Sequence, residues 1–310
     1  MRNRMRIAVI GAALALTAVS VQAQSVKIAT GGKDGTYNQM FGQLVSACGA
    51  ASGLSFSEVE TNGSVTNTDL LAGNKVHGAL VQADVLEYRA MTAKTLPNQV
   101  KVLFPLHKEE VHLLALAAGK KEGGMSIAGF NVGGKQVVLT DFSQIGGRPV
   151  GAVGGSAITA KFIAANSGVD FQLIEYNTNA DLLEALRQKQ IDVAIMVMGY
   201  PSPAIAQLSK DFRLLPITGK PVKELSKWYS TTQEMTYENL SDSQGVDGIA
   251  TQALFVVQDY KSKRMVEGLN KFRECKAERL PDIQEELGNH PKWKQVDNDT
   301  KVNWPLYNQQ

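Results

Sequence analysis

Hydrophobic and polar positions along the chain repeat one order of elements. Residues 21–45, VQAQSVKIATGGKDGTYNQMFGQLV, pass from small residues into a short apolar run, a loop with three glycines, and a segment that reads as a helix. The same order returns at residues 148–168, RPVGAVGGSAITAKFIAANSG. A second unit follows each copy. SGLSFSEVETN (52–62) leads into TDLLAGNKVHGALVQADV (68–85), and SGVDFQLIEYN (167–177) leads into ADLLEALRQKQIDVAIMVMGY (180–200). Phe56 matches Phe171, Glu60 matches Glu175, Asn62 matches Asn177, and Asp69-Leu70-Leu71 matches Asp181-Leu182-Leu183. Both copies then run into buried-strand patterns, over 76–81 and 191–197. A shared S-G-x-x-F-x-x-x-E-x-N string in a shared element order marks a structural duplication. Strands alternating with helices predict parallel sheets, and two copies predict two α/β lobes.

A glycine-rich turn between a strand and a helix presents unpaired backbone N–H groups at the positive end of the helix dipole, where a carboxylate or phosphate is favoured. Such turns lie at the carboxyl ends of parallel strands, where open α/β sheets bind ligands. Gly31, Gly32 and Gly35 form the first turn, with Thr36 and Tyr37 at the helix start. Gly154 and Gly155 form the second, with Ser156 expected as N-cap. Taken singly, each loop reads equally well as a tight turn chosen for geometry. GGKDGTY lacks the Gly-Lys-Ser/Thr ending of a phosphate loop, and GAVGGS lacks G-x-G-x-x-G spacing, so neither is a nucleotide fingerprint. ETNGSVTN (60–67) and EYNTNAD (175–181) supply further Asn, Ser and Thr that cap helices or bond a ligand. Gln82 and Asp84 are expected on the same edge, with Asp84 also readable as a cap of the helix that follows.

The first residues change the picture of where the chain works. A basic end (MRNRMR), an apolar stretch too short to span a bilayer, and V-Q-A before Gln24 predict a secretory signal peptide over residues 1–23, cleaved after Ala23. The periplasm is the expected compartment. Removing Arg2, Arg4 and Arg6 takes the 32 basic residues to 29 against 30 acidic, which leaves no global field for nucleic acid or an acidic membrane. Cys48 and Cys275 are the only cysteines. In an oxidising compartment they read as one disulfide, with a buried free pair as the alternative. The four histidines do not cluster with them, so no metal and no cofactor is expected. With neither a G-x-S-x-G elbow nor an H-E-x-x-H pair, the chain is not expected to be an enzyme.

IATGGKDGTY, NGSVTNTDLLAGNKVHGALVQADV, EEVHLLAL and MVMGYPSPAI, followed by LLPI and VDGIATQALFVV, resemble the TAXI-type solute-binding proteins of tripartite ATP-independent periplasmic (TRAP) transporters. The resemblance runs in order over most of the chain after residue 23. It implies an α/β fold of the type II periplasmic-binding-protein kind, with two lobes joined by crossing strands and closing on a small ligand. The implied ligand is a glutamate-like amino acid or dicarboxylate, and the implied partners are TRAP membrane permease subunits, the protein itself being a monomer. A ligand-sensing protein that presents its bound form to a receptor is the alternative. Carried over by position, the implied ligand-binding residues are Gly35, Thr36, Tyr37, Asn62, Ser64 and Gln82 from one lobe, and Ser156, Ala157, Tyr200 and Pro201 from the other. His112 reads either as a packing histidine at the hinge or as a ligand contact, and Lys33, Arg148 and Lys161 either as further ligand partners or as solvated surface. The expected lobes are 24–116 with 252–310, and 117–251. Residues 120–147 depart from the family as an insertion, expected as a hairpin beside the cleft.

Overall fold

A computed structural model describes residues 24–33, 35–127, 130–241 and 244–307. The expected leader and its cleavage point lie outside the described residues. The first unit runs β1 (Gln24–Ala29), α1 (Thr36–Ser52), β2 (Leu54–Val59), α2 (Ser64–Ala72), β3 (Gly78–Gln82) and α3 (Ala83–Thr92). A short α4 (Leu96–Gln99) leads into the long β4 (Val100–Leu116). Four short strands follow, β5 (Lys120–Glu122), β6 (Met125–Ile127), β7 (Phe130–Val132) and β8 (Lys135–Val137). The second unit runs β9 (Pro149–Val153), α5 (Gly154–Ser167), β10 (Gln172–Tyr176), α6 (Asn179–Arg187) and β11 (Val193–Met198). The remainder comprises α7 (Pro203–Ala206), β12 (Phe212–Leu214), α8 (Lys220–Leu225), β13 (Ser230–Met235), β14 (Val246–Gln258), α9 (Lys263–Glu285) and a 3-10 turn at Pro291–Gln295.

One large sheet has the order β10-β9-β11-β4-β14-β3-β1-β2, with β12 added to β4 and β13 to β14. β1 is parallel to β2 and β3, and β9 is parallel to β10 and β11. From either edge inward the order is the same: the unit's second strand, its first, its third, then one long antiparallel strand. The duplication read along the chain is therefore also a duplication of topology. β4 and β14 pair with each other from Val100–Gln258 to Glu110–Ala250, and both are buried almost throughout, which is why each reads as a continuous apolar run. Their register shifts between Gln252 and Leu254, where Gln252 Nε2 donates to the carbonyls of Leu106 (2.7 Å) and His107 (3.1 Å).

Separate cores flank the two halves of the sheet. In the first, Val26, Phe41 and Leu44 pack with Phe255, Leu269 and Phe272. In the second, Val150, Phe162 and Ile163 pack with Ile195, Leu215 and Tyr229. Each such side chain contributes about 1.5–3 kcal/mol when fully buried. Cys48 of α1 and Cys275 of α9 form a disulfide, a link across 227 residues that lies within the first half. α9 continues through Pro281 to Glu285, where Leu280 and Ile283 bury against Trp293 and Val296.

The insertion does not lie beside the ligand edge. β5 pairs with β8 and β6 with β7. The ribbon is held by Lys120 to Asp192 (3.0 Å) and by an Arg148 guanidinium that meets both Glu122 and Asp192. Asp192 precedes the amino end of β11, opposite the carboxyl end where the ligand edge lies. Two oppositely charged clamps thus hold the ribbon at the far rim.

Candidate functional site

The carboxyl ends of both parallel strand sets open on one cavity of about 340 Å³. From the first half it is lined by Gly35, Thr36, Tyr37, Asn62, Ser64 and Gln82, and from the second by Gly154, Gly155, Ser156, Asn179, Met198 and Gly199. The expected residues Gly35, Thr36, Tyr37, Asn62, Ser64, Gln82 and Ser156 are therefore brought together. Tyr200 and Pro201 line an adjoining space of about 540 Å³ that shares Thr36, Met198 and Gly199 with the first. Ala157 lines neither; its side chain is buried in the second core.

Local hydrogen bonds fix these loops. Gly35 N–H donates to Gly32 O at 2.7 Å and closes the first turn. Ser64 Oγ accepts from Gln82 N–H at 3.0 Å and lies 3.4 Å from Tyr37 Oη, so α1, α2 and β3 are stitched at one point. Ser156 is not an N-cap. α5 already begins at Gly154, whose φ of +51° favours glycine, and Ser156 Oγ accepts from Val197 N–H at 2.9 Å instead. Helices α1, α2, α3 and α5 all start at this cavity without a side-chain cap. Their first-turn N–H groups are donors for a ligand oxygen. The two halves are close here: a Cβ on Gly155 would stand 2.5 Å from Gln82 Oε1.

Glu109 was not singled out from the sequence, yet its carboxylate lines the cavity and is 9% exposed. Tyr37 Oη donates to Glu109 Oε2 at 2.6 Å. Burial pushes the Glu109 carboxyl up to about 8, the Tyr37 hydrogen bond and Lys292 opposing that shift while Asp84 and Glu110 add to it. Burial and the neighbouring Glu109 hold the Tyr37 phenol well above its ordinary value. The available signal was an adjacent Glu-Glu pair inside a long apolar strand, since buried carboxylates are rare without a task.

Asp84 does not cap α3, which starts without a side-chain cap. Its carboxylate accepts from Thr159 (2.6 Å) on α5, Tyr229 (2.8 Å) and Thr251 (3.1 Å), which ties α3 to the second half. Burial raises its pKa and these hydrogen bonds oppose the rise. His112 is fully buried with Nδ1 3.0 Å from Glu110 O and Nε2 3.0 Å from Tyr237 Oη, a packing role behind the Gly199-Tyr200-Pro201 segment. Burial lowers it to about 4. Lys33 is exposed and lines neither cavity, Arg148 is engaged by the ribbon, and Lys161 pairs with Glu175 at 2.6 Å. Among the described residues no three His, Cys, Asp or Glu converge on a metal-sized site, and no helix is long and apolar enough to cross a membrane.

Residues 28–272 match the sequence profile of the NMT1-like family. The substrate-binding protein of an amino acid ABC transporter superposes with a TM-score of 0.50 at 10% identity, over 84% of this chain and 95% of that one. The GluR0 ligand-binding core from Nostoc punctiforme, solved with L-glutamate, gives 0.48 at 11% identity over 82% and 93%. Substrate-binding domain 2 of Lactococcus lactis GlnP, in an open conformation, gives 0.44 at 10% identity over 91% and 98%. The first of these likenesses and the sheet topology agree on an α/β fold of the type II periplasmic-binding-protein kind.

Proposed function

The chain belongs to the NMT1-like family, and from that premise we propose that it is a periplasmic solute-binding protein. It captures a small organic anion or amino acid, glutamate-like or dicarboxylate, by closure of two lobes and delivers it to TRAP membrane permease subunits. The lobes are residues 24–116 with 252–310, and 117–251, meeting where β4 and β14 cross. One observation carries the reading: uncapped helix starts from both halves face a single cavity between them. A ligand that bonds both sides favours the closed arrangement by its differential affinity. The Asp84 to Thr159 bond supports closure as a defined state, since it pairs groups from opposite halves.

The TRAP assignment rests on Gly35-Thr36-Tyr37, on Gln82 with Asp84-Val85, and on Gly199-Tyr200-Pro201 with Pro203, all of which stand where the TAXI resemblance requires them. Export rests on the leader pattern, and a mature amino terminus at Gln24 in a periplasmic fraction is its test. Thermal-shift screening of unfolded and refolded protein against amino acids and dicarboxylates tests solute capture. A ligand at a hundred times its Kd adds about 2.7 kcal/mol of stability. A melting temperature unmoved by every member of such a panel overturns the reading.

A further inference from the structure

We propose that Glu109 is the subsite for a protonated amine on the captured solute, so the ligand is a zwitterionic amino acid and not a dicarboxylate lacking an amine. This rests on the reading of the cavity as the solute site. Glu109 enters that cavity from β4, where the two halves meet, and its Oε2 accepts from Tyr37 Oη at 2.6 Å. No lysine or arginine lines the cavity among the described residues. The nearby Lys292 is already committed, its Nζ 3.0 and 2.9 Å from the two Glu110 oxygens and 2.8 Å from Gln295 Oε1. The remaining polar lining, Ser64, Gln82, Ser156 and Asn179 among it, is hydroxyl, amide and backbone.

Charge decides between the two ligand classes. A dicarboxylate would place two negative charges in a confined space that no lysine or arginine lines among the described residues, beside a Glu109 carboxyl that could ionise only by adding a third. An α-amino acid divides its charges in the way the cavity does. Its carboxylate meets the uncapped N–H groups of α1 and α5, and its ammonium meets Glu109, each contact a charge-assisted hydrogen bond. Burial without a cation makes ionising Glu109 costly, and an incoming ammonium offsets that cost.

A proton must be accounted for. The charged and titratable groups facing Glu109 are Tyr37 on α1, Asp84 on α3, Glu110 on β4 and Lys292 on the 3-10 turn, with the His107 ring against Tyr37. In that company the empty site holds Glu109 as the neutral acid near neutral pH, its pKa being about 8. On binding, the carboxyl becomes carboxylate against the ammonium and one proton leaves to solvent. A bound dicarboxylate would instead keep that proton on Glu109.

Isothermal titration of the refolded, full mature protein in two buffers of different ionisation enthalpy tests this. The probes are the common L-amino acids and, for each binder, its counterpart without the amine, such as glutarate for L-glutamate. The expected result is an amino acid that binds with proton release at neutral pH, and a counterpart weaker by at least about tenfold. Glu109→Gln is expected to weaken the amino acid by a similar factor and to abolish the proton release. Should that variant fail to fold, the wild-type proton count and the paired probes decide alone. Glutarate, succinate or 2-oxoglutarate binding as tightly as any amino acid, or amino acid binding without proton release, overturns the inference and leaves solute capture standing. No binding by any probe overturns both.

Discussion

Lys292 and Glu110 form a buried ion pair, with Nζ 3.0 and 2.9 Å from the two carboxylate oxygens and the side chains 4% and 5% exposed. The pair joins the 3-10 turn near the carboxyl terminus to the middle of β4. The same carboxylate accepts from Tyr200 N–H at 2.6 Å, so one residue holds both the turn and the Gly-Tyr-Pro segment beside the ligand cavity. The Lys292 stem passes Gly199 so closely that a Cβ there would stand 2.5 Å from Cε. Burial lowers the Lys292 pKa, and Glu110 opposes that shift.

Breaking this pair from one side is expected to be severe. Lys292→Met strands a buried carboxylate and should cost about 3–5 kcal/mol in urea unfolding. Adding Glu110→Leu should recover part of that loss, because the stranded charge goes with it. A double variant as unstable as the sum of the single ones would contradict the coupling.

Ligand-free stability should fall as pH rises through neutrality. Glu109 has a folded pKa of about 8 against an ordinary 4.5, so between these values the folded state holds the extra proton and stability declines with pH. Comparing about pH 6.5 with about pH 8 largely avoids the buried histidines, whose lowered values bear on the acid side. Glu109→Gln should flatten the decline in urea midpoint over that interval. An identical slope in wild type and variant would contradict the assignment.

Gly155→Val should weaken ligand binding by about tenfold or more while costing about 1–3 kcal/mol in stability. The added carbons meet the end of the flexible Gln82 side chain, which can move, but only by occupying the space that the two halves close upon. Titration calorimetry and thermal melting separate these effects.

Cys48→Ser with Cys275→Ser should cost about 2–5 kcal/mol and leave ligand affinity unchanged. The bond ties the last turns of α1 to α9, away from the Thr36 and Tyr37 end of α1 that lines the cavity, and neither cysteine lines it. An affinity loss larger than the stability loss explains would place the bond in the closing motion.

Much of this was legible in the chain because it followed from local chemistry. Matched strings around Phe56 and Phe171 announced the duplication. Gly35, Tyr37, Ser64, Gln82 and Ser156 are expected at one edge from the glycine turns and helix starts at strand ends and from the TAXI resemblance, and they line one cavity. The misses are contacts between distant residues. Glu109 acquires its meaning from Tyr37, 72 residues away, and Asp84 from Thr159, Tyr229 and Thr251. Lys292 finds Glu110 across 182 residues, a pairing no local pattern announces. The ribbon's position was misjudged because the charges that anchor it, Asp192 and Arg148, lie outside the inserted segment. Gly154 and Gly155 read as a loop that would make Ser156 a cap, whereas the helix begins on them.

Capture between two halves can be measured as a distance. Spin labels at Thr66→Cys on α2 and Ala180→Cys on α6 flank the cavity from opposite sides at exposed positions, and the native cysteines are bonded to each other. Pulsed electron resonance on refolded protein, with and without an amino acid that raises its melting temperature, should give a broad distribution without ligand and a shorter, narrower one with it. A distribution unchanged at saturating ligand would contradict capture by closure.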